Sequence, residues 1–453
     1  MSTGGLAGRA LAAAGGDALA TVTRERWVML RFARSRPTQA TSVDDVTVEL
    51  ATLRHGHVGR GSTNRCDDDS LRQCAARAAR AADAATRAFG AGGFPGFPDP
   101  GVPRAHEGYD PATAECDPAT GGDALRTVFD IAGAAGVEVG GIWTAGHVET
   151  ALASSAGASL HDCVTDAHMK VVAMARGDRS GYASSTSVSA AAIDPEALET
   201  RAAAKATAGS EAAPLEPGQY TVVLEPHAVS ELLWVLAHVA FNGMMHSEGR
   251  GALSGKLGSR VVSPSISLSD STRFRGTLPR AFDAEGVAKA PLPLIQDGVA
   301  HGVVHDTRSA AMAGARTTGH ALVPGGTIRG PRPTNLVLLG GGEADAAGLC
   351  AGVERGIYVT RLWYTNIVRP EDSLFTAVTR DGTFLIEDGR VGPPVADMRV
   401  TDSALGILAR TRALGARTEL CSDGELYGRR FATGNVCPPL LAEAVSFTGS
   451  ASA

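Results

Sequence analysis

Between residues 209 and 218 the chain reads Gly-Ser-Glu-Ala-Ala-Pro-Leu-Glu-Pro-Gly, and this stretch constrains the fold more than any other. Its prolines and glycines oppose both helix and sheet ladder, as expected of a linker. The patterning differs on its two sides. Upstream, strand-like runs are followed by Ala-rich helical runs. Downstream, short strand-like runs dominate. A chain of 453 residues has room for two or three domains. The expectation is an α+β protein. Residues 1–212 form an N-terminal α/β sheet-and-helix domain, and residues 213–453 a β-rich, largely antiparallel, barrel-like C-terminal domain.

Upstream of the linker, residues 27–60 read as strands, rich in β-branched and apolar side chains. Gly56, Gly59 and Gly61 are expected to punctuate a turn. Asp67-Asp68-Asp69 ahead of an Ala-rich periodic run marks the start of a helix over residues 70–89. Residues 90–123 carry Pro95, Pro98, Pro100, Pro103, Pro111 and Pro118, and read as a loop or insertion. A helix over 124–135, strands over 137–143 and 171–175, and a helix over 195–208 complete this half.

Downstream, residues 220–224 read as a buried strand. Pro226 sits at the tolerated first turn of a helix. The helix itself, Ala228–Phe241, is apolar nearly all round and is expected to be buried. Strand-like runs follow at 261–262, 266–268, 335–339, 356–360 and 383–387. Asp381-Gly382 and Asp388-Gly389 read as hairpin turns.

The formal charge of −6 is mild and shows no basic stripe, which argues against nucleic acid as a partner. No run of 18 apolar residues occurs, so no membrane partner is expected. The first residues lack the basic start and apolar core of a secretion signal, and a cytoplasmic location is expected. The seven cysteines include no Cys-x-x-Cys pair, which excludes zinc-ribbon and thioredoxin-like patterns. His-Glu-x-x-His is also absent. His55 and His57 would share a face in an extended segment. His301 and His305 would share one in a helix, with Asp306 next to them.

Several ordered motifs run through the chain. They include Gly59-Arg-Gly-Ser-Thr-Asn64, Leu215-Glu-Pro-Gly218, Ser254-Gly-Lys-Leu-Gly258 and Phe282-Asp-Ala-Glu-Gly-Val287. Leu294-Ile-Gln-Asp-Gly-Val299, Thr317-Thr-Gly-His320, Gly356-Ile-Tyr-Val-Thr360, Ile386-Glu-Asp-Gly389 and Ser446-Phe-Thr-Gly449 follow. In this order and spacing the chain resembles the TldD/PmbA family. The resemblance implies an assembly in which a TldD-type and a TldE-type subunit pair. It also implies zinc in the TldD-type subunit, held by two histidines of a His-Glu-x-x-x-His helix and a C-terminal cysteine. The glutamate acts there as general base.

This chain departs from that pattern at the helix. Trp234, Val235 and Val239 stand where the first histidine, the glutamate and the second histidine belong. None of the three can ligate zinc or take a proton. His227, Glu231 and His238 lie near one another on a helical wheel, but Glu231 and His238 are too far apart along the axis to share an ion. Cys421 or Cys437 alone makes no catalytic zinc site.

The expectation is therefore a TldE/PmbA-type subunit with no catalytic residue, metal ligand or cofactor of its own. It would form a heterodimer with a TldD-type zinc subunit as part of a metallopeptidase. The substrates would be peptides or peptide-like natural-product intermediates. Asp283, Glu285, Arg316, Thr317, Thr318 and Gly319 are the candidate substrate or partner contacts. Two alternatives stay open: a self-sufficient metallohydrolase with a relocated site such as His301 and His305, and a non-enzymatic regulator.

Overall fold

The computed structural model describes residues 2–177, 179–209, 212–342, 344–422 and 428–450. Helix α1 (Thr3–Ala14) is capped by Ser2. Strands β1 (Ala18–Ala33), β2 (Arg36–Arg54), β3 (His57–Thr63), β4 (Glu138–Ser154), β5 (Ser159–Met174) and β6 (Ser180–Ser187) form one antiparallel sheet, in the order β3-β2-β1-β4-β5-β6. Helices α2 (Asp68–Phe89), α4 (Pro118–Ala135) and α5 (Pro195–Thr207) pack on it, and α3 (Pro111–Ala114) precedes α4.

The chain then enters β7 (Gly218–Leu224), α6 (Pro226–Val239) and α7 (Gly243–Ser247). Short strands β8 (Leu268–Asp270), β9 (Leu292–Gln296), β10 (Val299–Ala300) and β11 (Leu336–Leu338) follow, with α8 (Thr307–Ala313) among them. The last part holds β12 (Arg355–Arg369), β13 (Leu374–Glu387), β14 (Arg390–Pro394), β15 (Met398–Ser403), α9 (Ala404–Ala409), β16 (Thr411–Leu414), β17 (Glu419–Cys421), β18 (Asn435–Cys437) and β19 (Leu440–Ser450). Strands β12, β7, β19, β15 and β13 pair in turn, and β13 pairs back with β12. The ring is closed, which removes its open edges. A second sheet, β10-β9-β8-β11-β18-β17, stands beside this barrel. Pairing is antiparallel except for β7–β12 and β11–β18. The largest apolar core joins α6 to the barrel through Leu232, Leu233, Leu236, Phe375 and Phe447.

Several expectations need correction. Gly59 and Gly61 lie inside β3, and the turn is His55-Gly56 alone. Their service is close packing: a Cβ at Gly59 would sit 2.0 Å from the carbonyl oxygen of Ala78 on α2. Residues 90–123 are not loop throughout. Pro111 and Pro118 each occupy the first turn of a helix, capped by Asp110 and Asp117. Val261-Val262 is loop, with both amides bonded to Gly298 O. Asp381-Gly382 is no hairpin: β13 runs through it, and the pairing with β12 shifts there. Such an extra residue is a bulge. Asp388-Gly389, both at positive φ, does turn the chain between β13 and β14.

Candidate functional site

Helix α6 begins at Pro226, and the carboxylate of its N-cap Glu225 is tightly held. Lys205 Nζ donates to it at 2.8 Å and Tyr358 Oη at 2.6 Å. Two layers of structure thus fix the helix start. Leu232, Leu233, Val235, Leu236 and Val239 face the core. His227, Ser230, Glu231, Trp234, Ala237 and His238 face a cleft of about 660 Å³. Positions 227, 231, 234 and 238 recur at helical spacing, which is why one face carries them all.

The opposite walls come from distant parts of the chain. Lys170 and Tyr182 belong to the first sheet, Arg361–Thr365 to β12, and Arg332–Thr334 to the loop before β11. Phe431–Asn435 closes one side, and this segment is clamped at both ends. At one end the fully buried Arg430 forms a two-pronged ion pair with Asp166 on β5, at 2.8 and 2.7 Å. It also donates to Thr144 Oγ1 at 3.0 Å. At the other end, Asn435 Nδ2 donates to Ser230 O and Oγ on α6, at 3.2 and 3.0 Å. A bidentate guanidinium–carboxylate pair gives direction as well as attraction.

The ring donors along α6 are already engaged. His238 Nδ1 bonds Trp234 O at 2.8 Å, and Arg332 Nη1 points at its Nε2. The consistent tautomer is neutral, with Nδ1–H donating and Nε2 accepting. Burial and the Arg332 charge push His238 down to about 4. Its ring lies 4.1 Å from that of Trp234. His227 Nε2 meets Ser184 Oγ at 3.1 Å, and burial holds this ring well below its ordinary pKa. Cys421 lines the cleft, and burial pushes its thiol well up. Cys437 Sγ donates to Pro226 O at 3.2 Å. A zinc ion needs free lone pairs from neutral rings or thiolates. A guanidinium aimed at the His238 nitrogen repels a cation, so these residues do not fit one. Among the described residues no three His, Cys, Asp or Glu side chains gather at metal-binding spacing.

The residues nominated from sequence lie elsewhere. Asp283 and Glu285 organise a buried turn. Asp283 accepts from the amides of Glu285, Val287 and Ala321, and Glu285 from those of Thr307 and Gly325. Burial pushes both carboxyls up, and the Asp283 charge adds to the rise of Glu285. Thr317 and Thr318 bond His305 O, and Gly319 turns at positive φ. Arg316 is exposed. None of the six lines the α6 cleft, although Asp283 and Gly319 line a second cavity. Of the three motif replacements, Trp234 lines the cleft, while Val235 and Val239 are core. His301 and His305 share no helix face: they lie in the segment before α8, His301 exposed and His305 buried against Ser309. Arg332, Arg361, Arg430 and Asn435 were missed, because no local spacing signals a contact made across the fold.

An antiparallel sheet joined to a closed barrel, with a helix-lined cleft between them, sets the class of fold. Family models agree: residues 217–449 match the PmbA/TldA metallopeptidase C-terminal domain, and residues 20–82 match domain 1. The chain belongs to the TldD/PmbA family. Among its relatives, a metalloprotease of Methanothermobacter thermautotrophicus is 26% identical over 49% of this chain and 48% of its own length. A metalloprotease of Synechocystis is 27% identical over 58% of each. The chain thus spans about half the length of these relatives. In fold, it is similar to TldE from Thermococcus kodakarensis, with a TM-score of 0.84, 18% identity, and coverage of 98% of this chain and 99% of that one. A Thermotoga maritima protein described as a candidate modulator of a DNA gyrase gives 0.83 at 19% identity, covering 98% and 100%. No helix among the described residues is long and apolar enough to cross a membrane.

Proposed function

We propose that this chain is a TldE-type, non-catalytic subunit of a zinc metallopeptidase and pairs with a TldD-type subunit that carries the metal. The carrying observation is the cleft face of α6. Trp234 fills a position that the family's motif gives to a histidine, and His238 is locked between Trp234 O and Arg332. The structural likeness to TldE supports the same reading.

The cleft has the character of a binding wall. Trp363, Tyr364 and Phe431 along it are 41%, 67% and 45% exposed, unusual for side chains of this size. Arg361, held by Asp381, stacks over Tyr182 with its guanidinium carbon 4.4 Å from the ring centre. Aromatic faces and fixed cations suit peptides or peptide-like natural-product intermediates as substrates.

The test is co-expression with a TldD-type protein, followed by zinc analysis and peptide hydrolysis for each chain and the complex. The expected result is one zinc per heterodimer, none in this chain alone, and hydrolysis by the complex only. Chelator-sensitive hydrolysis by this chain alone overturns the proposal.

A further inference from the structure

A second cavity, of about 280 Å³, lies between the first sheet and the loops around residues 280–284 and 319–324. Val148, Thr150 and Leu152 of β4 form part of one wall, and Phe282, Leu322 and Val323 part of the other. Four basic side chains also reach it: Arg280, Lys289, Arg429 and Arg430, the last of them held by Asp166.

The charges of this cavity are not equally engaged. Arg429 pairs with Glu49 and donates to Thr23 Oγ1. Lys289 donates to Gly319 O at 3.1 Å and lies 3.7 Å from Asp270. Asp162 accepts from the amides of Cys163 and Ala281, both at 2.9 Å, and meets His106 Nε2 at 2.8 Å. The Asp283 carboxylate takes three backbone amides. Arg280 differs. Its guanidinium carbon stands 3.9 Å from the centre of the Phe431 ring, and the Asp162, Asp166 and Glu25 charges favour it from longer range, yet among the described residues it forms no direct ion pair and donates no hydrogen bond. The carboxylates here are occupied by the fold, and among the described residues one stacked guanidinium is left with its donors open.

A half-buried cation with few hydrogen-bond acceptors is unfavourable, and a planar guanidinium matches a carboxylate with two parallel bonds. The apolar walls supply a complementary surface for a small hydrocarbon body. We infer that this cavity binds a small carboxylic acid of amino-acid size with an apolar body, its carboxylate held by Arg280. The site stands apart from the proposed subunit role and does not depend on it. Phe431 also lines the α6 cleft, as do Leu322 and Thr334. An acid bound to Arg280 therefore braces the wall that the two spaces share.

The experiment is calorimetric titration of the full chain with N-acetyl-L-leucine and with N-acetyl-L-leucinamide, which lacks the carboxylate. The acid is expected to bind about tenfold or more tightly than the amide. Arg280→Met should abolish that preference. Arg332→Met, in the α6 cleft, should leave it intact. Arg280→Lys keeps the charge and loses the fork, so it should weaken the acid without changing the amide; this variant guards against misfolding of Arg280→Met. Equal binding of acid and amide, no binding of either, a preference that survives at Arg280→Met, acid binding unweakened at Arg280→Lys, or a preference that disappears with Arg332→Met overturns the inference.

Discussion

The first sheet and the barrel half are both built from long strands, but they treat irregularity differently. Strands β1 and β4 pair without a shift from Leu19–Ser154 to Phe32–Gly141, and β4 with β5 from Glu138–Met174 to Ala153–Ser159. Non-glycine residues at positive φ in that half (Arg34, Ser35 and His55) sit at its hairpin turns. In the barrel half, Tyr364, Asp381 and Ala444 hold positive φ inside strands, each beside a shift in pairing. Tyr364 lies on the cleft. The first sheet, whose β1–β2 pairing shifts only between Arg31 and Phe32, acts as a platform, and the irregular strand β12 brings Tyr364 to the cleft.

This contrast can be broken experimentally at the joint between the two regions. Arg430→Met would leave Asp166 buried without its partner, and such losses cost about 3–5 kcal/mol. Urea denaturation should show that loss; a change under about 1 kcal/mol would mean that Arg430 is not the anchor. Within the platform, Gly59→Val should cost about 3 kcal/mol in the same measurement, because its Cβ would meet the backbone of α2. An unchanged midpoint would show that α2 packs loosely.

Smaller effects sharpen the contrast. Tyr364→Gly should relieve backbone strain and raise stability by about 1 kcal/mol while weakening peptide binding to the complex. A loss of stability would place the strain elsewhere. The last test is electrostatic. Arg332→Met should raise the pKa of His238 from about 4 towards the ordinary histidine value of 6.5, read by NMR titration of the ring. In the native protein His238 favours the neutral form. Its contribution to stability is therefore complete above pH 6.5 and falls as pH drops towards about 4. The variant should lose less over that window; an unmoved pKa would leave burial alone as the cause.

Much of the fold was legible in sequence. The Ala-rich run after Asp67-Asp68-Asp69 became α2, and the apolar run after Pro226 became α6. Asp388-Gly389 turned as its composition predicts. Asp381-Gly382 has the same composition but lies within a strand, because β12 continues to pair on both sides of it. Local turn chemistry could not register that partner. Pro111 and Pro118 likewise read as breakers, although a capping aspartate before each allows a helix to start.

The candidate site divides in the same way. Trp234 and His238 were visible as departures on an α6 face, since spacing alone fixes which residues share that face. By itself, the sequence determined the strand and helix periodicities, the apolar character of α6 and the family pattern, because these depend on neighbours a few residues apart. Only the tertiary structure decided that Arg332 meets His238, that Arg430 enters the first sheet, and that Arg280 stacks on Phe431. Those outcomes depend on which distant segments share a desolvated space, and no local spacing encodes that.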